Sequence, residues 1–264
     1  MLIRPLVVRL GLLAVVCIFA SGSLHAAMLA KSEGAAKVLV NSQESPAASL
    51  VNSTLAPGTT VSTGEDGKVM IEVAPGIVIE LQPNSQVTIG EMSMDKITDE
   101  LGNPIPQYTI TLTLGTIVAV HSDSGLADAA LLVVTPRGNI SPVLPGQTVI
   151  TVDGSNPETS TVTVASVTGS EIATTTEGEQ IPVAEGTAVI LKPDNTYQAF
   201  GINELPNGGA IQSLAQNVAT EVSNQSNLTP AVPPPIIPPP PPVVPPNIPP
   251  AEPTPTPTPA PVSP

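Results

Sequence analysis

Between Lys37 and about Leu191, short runs of Val, Ile, Thr and Leu alternate with turn residues every eight to twelve positions. Within residues 108–114, aliphatic residues at every second position alternate with three threonines, and the same period of two recurs at Val69, Ile71 and Val73. A period of two is typical of strands with one buried face. The pattern therefore predicts an all-β domain, either a sandwich or a short β-roll, between which periodicity alone does not choose.

Turn residues mark the predicted strand boundaries. The Asp66-Gly67 pair predicts a two-residue hairpin before the strand 69–73, because Asp-Gly tolerates the positive φ angles of such turns. Gly115 separates a strand over 108–114 from another over 116–120. Further strands are predicted over 37–40, 77–81, 87–89, 131–134, 148–152, 161–167 and 188–191.

One C-terminal amphipathic helix is predicted downstream of the β domain. Ile211, Leu214, Ala215, Val218 and Val222 recur at helical spacing. We expect this apolar stripe to dock on the β domain; binding of a partner or of a second copy stays open as the alternative.

The first 26 residues predict a cleaved export signal. Arg4 and Arg9 precede an apolar run over residues 10–20, and small residues follow it, so cleavage is expected after Ala26. An apolar run of this length is shorter than the roughly 20 residues of a membrane span, which favours a cleaved signal over an uncleaved anchor, the alternative that stays open. We therefore expect an exported protein, periplasmic or at the cell surface, with no stable membrane span after cleavage. Cys17, the one cysteine, lies in the leader, which leaves no disulfide in the mature chain.

The C-terminal residues predict a disordered, proline-rich tail. Nineteen of the 33 prolines lie between Pro230 and Pro264, a composition that favours extended polyproline II over a packed core. We expect a spacer; recognition by an envelope or wall partner and glycosylation of the Thr-Pro repeat stay open. The predicted organisation is thus a signal peptide (1–26), a β domain (27–202), a helix and linker (203–228) and a tail (229–264).

Charge and composition exclude several function classes. The net charge is −14, or about −16 once Arg4 and Arg9 are removed with the leader, and six cationic side chains remain. Nucleic-acid binding through a basic groove is excluded on this ground. The mature chain also keeps one histidine, His121, no cysteine and three aromatic residues, which argues against an enzyme.

Three polar clusters in the sequence are candidate sites, and none of them is predicted to act as one. In His121-Ser-Asp-Ser124, side chains on adjacent strand residues point to opposite sides, so they do not converge as a triad requires. The other clusters are the acidic residues Glu91, Asp95, Asp99 and Glu100, and the turn Asp153-Gly-Ser-Asn156. Neither has the alternating ligand spacing of a calcium loop. We predict no catalytic, cofactor-binding or metal-binding residue, and no cofactor.

Several short motifs resemble the FecR domain over residues 36–193. The motifs that carry the resemblance are Leu55-Ala-Pro-Gly58, Val61-Ser-Thr-Gly64, Leu81-Gln-Pro-Asn-Ser85, Leu112-Thr-Leu-Gly-Thr-Ile-Val118 and Thr135-Pro-Arg-Gly138. The chain departs from the family over residues 142–149, where the usual Arg and Phe are missing. Iron-regulatory members also carry a cytoplasmic region that binds a sigma factor; this chain begins with its predicted signal, so we expect no such region.

The resemblance implies an exported FecR-like β domain without implying sigma regulation. The predicted function is a non-catalytic interaction or scaffold module of the bacterial cell envelope, with an envelope protein or a cell-wall polymer as partner and no nucleic acid. Two alternatives stay open: a periplasmic sensory component of transmembrane signalling, and a secreted surface or wall-associated structural protein.

Overall fold

The computed structural model describes residues 27–98, 102, 104–122 and 129–226, so the predicted signal peptide and tail lie outside the described residues. The strands are β1 (Ala27–Glu33), β2 (Ala36–Val40), β3 (Gln43–Pro46), β4 (Thr54–Leu55), β5 (Thr60–Thr63), β6 (Lys68–Ala74), β7 (Ile77–Leu81), β8 (Gln86–Thr98), β9 (Pro104–His121), β10 (Ala130–Thr135), β11 (Gly138–Asp153), β12 (Thr161–Thr175), β13 (Gln180–Val183), β14 (Thr187–Leu191) and β15 (Tyr197–Gly201). The helix α1 spans Gly208–Ser226, and two 3₁₀ turns cover Ala47–Leu50 and Ile202–Glu204. The all-β prediction with one C-terminal helix is confirmed.

All strands belong to one sheet that folds over into two layers. The first layer has the order β4-β1-β6-β7-β9-β11-β12-β14-β15, and the second has the order β3-β2-β5-β8-β9-β10-β11-β12-β13. Strands β9, β11 and β12 appear in both layers because each is long enough to bend from one into the other. The sheet is not closed, and the arrangement corresponds to the predicted roll more closely than to a sandwich of separate sheets.

The bends lie at opposite ends of the layers. Strand β9 bends at Gly115, where its partners change from β8 to β7. Strands β11 and β12 bend at the other end of the layers, around Gly146 and Gly169. The pairing of the strands places this end beside the start of β1. We call these ends the Gly115 end and the β1 end.

The core lies between the two layers. It consists of aliphatic side chains that alternate along the strands, including Ile71, Ile79, Ile117 and Ile150 from the first layer and Val38, Val61, Val87, Ile110 and Leu112 from the second. Val69, Ile71 and Val73 share this inner face as predicted, whereas the intervening Met70 points to the outer face. Burying aliphatic area at about 25 cal/mol per Å² is the main stabilising contribution available to such a chain.

The helix α1 covers the outer face of the first layer. Ile211, Ala215, Val218 and Val222 are buried against outward-pointing side chains of the sheet, among them Val118. The predicted docking of the stripe is therefore confirmed. Lys31 on β1 forms an ion pair with Glu221 on α1, beside a second pair with Glu33 (2.6 Å).

Several predicted boundaries were wrong for identifiable reasons. The residues 65–67 form a turn, but β5 and β6 do not pair with each other, so the predicted hairpin is a crossing between layers. The strands predicted over 108–114 and 116–120 are the single strand β9. Strands β11 and β12 also continue well beyond 148–152 and 161–167, because bent strands keep their pairing on both sides of the bend. Strand β1, which lies next to the edge strand β4 in the first layer, was missed.

Candidate functional site

An apolar cleft opens between the two layers at the β1 end, with a volume of about 380 Å³. We call it the interlayer cleft. Its lining residues from the first layer side are Ala27, Leu55, Pro57 and Val73, and those from the second layer are Ile89, Gly90, Glu91, Met92, Tyr108, Thr109 and Ile110. Aliphatic side chains form the walls, and Glu91 is the one ionisable carboxyl group among these lining residues.

A bulge in β8 forms one wall of the cleft. The pairing of β8 with β9 shifts register between Ile89, which lies opposite Ile110, and Met92, which lies opposite Tyr108. The shift leaves Gly90 and Glu91 out of the regular ladder, with the Glu91 side chain exposed at the cleft. Bulges redirect side chains in this way and are frequent beside binding sites.

Tyr108 supplies a polar group to the otherwise apolar wall. It is 8% exposed, and burial raises the pKa of its phenol. The phenol therefore stays protonated at neutral pH and can donate a hydrogen bond, so the lining residues include an acceptor in Glu91, a donor in Tyr108 and the hydroxyl of Thr109.

The polar clusters weighed from the sequence do not assemble into a reactive site in the described residues. His121 is the last residue of β9, opposite Ile77 and Gly146. The Ser122 hydroxyl donates to the carbonyl of Gly76 (3.0 Å), so it fixes the β6–β7 turn. Asp123 and Ser124 lie outside the described residues, and so do Asp99, Glu100 and the side chain of Asp95.

The Asp153-Gly-Ser-Asn156 turn also has a local structural role. The side-chain oxygen of Asn156 accepts the backbone N–H of Glu158 (2.9 Å), which stabilises the loop between β11 and β12. Within the described ranges, no three His, Cys, Asp or Glu side chains are close enough to hold a metal ion.

Residues of four of the five FecR-like motifs gather at the Gly115 end, whereas Leu55 and Pro57 of the first motif line the interlayer cleft. The Ser85 hydroxyl donates to the carbonyl of Thr116 (3.0 Å) and accepts its N–H (2.8 Å). Gly115 has φ +85°, and a Cβ there would lie 2.3 Å from the Ser85 hydroxyl oxygen. The motifs therefore supply the turn and the close approach that bend β9.

Arg137, in the Thr135-Pro-Arg-Gly138 motif, is buried at the same end. Its guanidinium donates to the carbonyls of Ser160 (2.8 Å), Pro157 (2.7 Å) and Pro193 (3.4 Å). One side chain thus joins the β10–β11 turn of the second layer to two loops of the first. Sequence reasoning flagged the motif but not this role, because the three carbonyls are 20 to 56 residues away along the chain.

Glu171 is a buried carboxyl group that sequence reasoning missed. It is 2% exposed, and its Oε1 accepts a hydrogen bond from the Thr148 hydroxyl. Burial raises the pKa of Glu171 to about 7, although the hydroxyls of Thr148 and Ser166 act in the opposite direction. The alternation Glu171, Ala173, Thr175 would have placed it on the inner face had the strand been predicted past Gly169.

Comparisons with known proteins give a limited result. No family model matches the chain, and no curated protein matches it, so the FecR resemblance stays a prediction. Two solved structures of a candidate anti-sigma factor from Parabacteroides distasonis ATCC 8503 are similar to it, at 14% and 13% sequence identity and a TM-score of 0.40. Each match covers 54% of this chain and 59% of the other. Among the residues described, no helix has both the length and the apolar character to cross a membrane.

Proposed function

We propose that this chain is a non-catalytic interaction module of the bacterial cell envelope, exported to the periplasm or the cell surface. The export and envelope parts of the proposal rest on the leader pattern and on the FecR resemblance. The interaction part rests on one structural observation: the apolar interlayer cleft, which opens at the β1 end with a single exposed carboxylate at its wall.

The chemistry of the cleft selects the kind of partner. Its aliphatic walls fit one or two aliphatic side chains, and Glu91 favours a Lys or Arg next to them. The net charge of about −16 after removal of the leader adds a long-range attraction for cationic partners and repels a second copy of the chain. We therefore propose a segment of an envelope protein that combines aliphatic and basic residues as the occupant.

The test compares capture of envelope proteins by the purified chain and by two charge-reversal variants. Glu91→Lys reverses the charge at the cleft, whereas Glu158→Lys reverses an exposed charge in the β11–β12 loop at the Gly115 end. A partner that uses the cleft is retained by the wild type and by Glu158→Lys and lost with Glu91→Lys. The proposal would be contradicted if both variants lost the partner equally. It would also be contradicted if the chain bound purified cell-wall polymer and captured no envelope protein.

A second experiment addresses the non-catalytic part. The purified chain is incubated with a panel of glycan and peptide substrates, and we expect no turnover above buffer. Hydrolysis of a substrate by the wild type that disappears with His121→Ala would overturn this part of the proposal. The result of the partner-capture experiment does not depend on this outcome.

A further inference from the structure

The corner at which β11 and β12 fold over is the tightest part of the β1 end. The pairing of these strands shifts register three times between Pro142 and Thr148. Gly169 has φ +85°, and a Cβ there would lie 2.6 Å from the carbonyl oxygen of Pro145. Residues on either side of this corner belong to different layers, so a change of backbone angles here moves the end of β12 and all of β13 relative to the first layer.

Glu171 lies two residues beyond the bend and points into the core. It shares the inner face with Ala173, and Val183 of β13 lies opposite it in the register. Within the described part of the chain, its Oε2 is buried without a hydrogen-bond partner, and no ion pair includes this carboxylate. The hydroxyls of Thr148 and Ser166 favour the carboxylate, but the unpartnered Oε2 leaves an ionised Glu171 incompletely solvated.

The elements around Glu171 contain few charged groups that could balance the negative charge of its ionised carboxylate. Strands β10, β13 and β14 contain no ionisable side chain, and the one in β11, Asp153, lies at the Gly115 end. Glu179 and Glu185, which flank β13, are exposed and carry the same sign. Two titratable groups of β9 lie at this end. His121 has Gly146 as its neighbour on β11, and Tyr108 lines the interlayer cleft as a phenol whose pKa burial raises.

We propose that this corner is a proton-controlled hinge, closed while Glu171 is protonated and opened over residues 170–183 when Glu171 ionises against its buried surroundings. This device is independent of the proposed partner binding. It requires only the bend, the inward carboxyl group and the open edge of β13, which pairs with β12 on one side in the described residues.

The direction of the response follows from linkage. The folded corner raises the pKa of Glu171 to about 7, whereas an opened, solvated carboxyl group returns to its ordinary value of 4.5. The closed form therefore binds the proton more tightly, and the opening equilibrium rises as the pH increases from about 4.5 to 7 and then levels off. For a fully solvated open state the rise between pH 5 and pH 8 is roughly 70-fold.

Hydrogen exchange of the purified chain, corrected for the intrinsic pH dependence of amide exchange, measures this opening directly. We expect protection over residues 170–183 to fall by tens of fold between pH 5 and pH 8, while strands β1 and β6 stay unchanged. With Glu171→Gln the pH dependence should disappear, because the amide of similar size does not ionise.

Two further variants separate the hinge from a merely structural role. Thr148→Val removes a donor that stabilises the carboxylate, so the midpoint of the transition should move to higher pH. His121→Gln should leave the transition in place. The proposal would be overturned if protection in the wild type did not depend on pH. It would also be overturned if the pH dependence persisted in Glu171→Gln, if it vanished in His121→Gln, or if its midpoint did not move in Thr148→Val.

Discussion

The two ends of the folded sheet differ in how the buried polar groups at their strand bends are satisfied by hydrogen bonds. At the Gly115 end, the bend of β9 is completed by hydrogen bonds: Ser85 satisfies both backbone groups of Thr116, and Arg137 donates to three carbonyls. At the β1 end, the bend of β11 and β12 encloses Glu171, one oxygen of which lacks a partner in the described residues. A buried polar group with all its hydrogen-bond partners stabilises one conformation. A buried ionisable group that lacks a partner makes the stability of its surroundings depend on pH.

The same contrast separates architecture from candidate function. Four of the five FecR-like motifs lie at the Gly115 end, where Gly115 and Ser85 form the bend of β9, whereas Leu55 and Pro57 of the first motif line the interlayer cleft. The interlayer cleft and the Glu171 corner both lie at the β1 end, together with the first residue of the described chain. The Gly115 end thus fixes the bend of β9, and the β1 end contains the residues on which the proposed binding and the proposed hinge depend.

The largest expected effect is at Gly115. Gly115→Ala should reduce the free energy of unfolding by about 3–5 kcal/mol, because it combines a positive φ with a Cβ placed against Ser85. Denaturant unfolding measures the loss. Gly178→Ala is the matched control, since Gly178 has φ +89° with nothing within 4 Å, and it should cost about 1 kcal/mol. Equal losses for the two variants would mean that the close approach at Gly115 contributes nothing.

Arg137→Ala should cost about 3 kcal/mol, since it leaves the carbonyls of Ser160, Pro157 and Pro193 without their donor. Lys37→Ala, which removes a largely exposed cation paired with Glu44, should cost less than about 0.5 kcal/mol. Thermal and denaturant unfolding compare the two variants. If Arg137→Ala lowers the free energy of unfolding no more than Lys37→Ala does, the Arg137 side chain does not stabilise the Gly115 end.

Docking of α1 should contribute a smaller amount. Val218→Ala removes two methyl groups from a position that is 2% exposed, and the expected loss is about 1–2 kcal/mol. Asn217→Ala, at the neighbouring exposed position, should change the stability by less than about 0.5 kcal/mol. A null result for Val218→Ala, measured by denaturant unfolding and by the helical circular dichroism signal, would show that the helix does not depend on this contact.

The smallest expected effect is at the Lys31–Glu221 ion pair. Hydrogen bonds to Glu221 and then Glu33 raise the pKa of Lys31, but both paired side chains are more than a third exposed. Lys31→Met should therefore cost about 0.5 kcal/mol at low salt and less at 0.5 M salt, because solvent and ions screen the pair. A loss that is large and independent of salt would assign Lys31 a packing role instead.

Local patterns predicted the fold class, the inward face of most strands and the stripe of α1, because these depend on neighbours two or four residues apart. They failed where pairing was decided at long range. The turn at residues 65–67 looked like a hairpin, yet its flanking strands pair with β2, β8, β1 and β7 in different layers. The strand predicted over 161–167 stops short of Glu171, which lies on the same strand past the bend at Gly169. The cleft residues are distributed over five strands and a loop, so no local pattern indicates them.

The most direct test of the account is the pH dependence of the unfolding free energy of the purified chain and of Glu171→Gln. The folded pKa of Glu171 lies above its unfolded value, so its contribution favours the folded state at low pH and is lost as the pH rises from about 4.5 to 7. We expect the wild type to lose up to about 2.5 kcal/mol relative to Glu171→Gln between pH 5 and pH 8. Parallel profiles for the two proteins over this range would contradict the assignment of the β1 end as the pH-responsive part of the molecule.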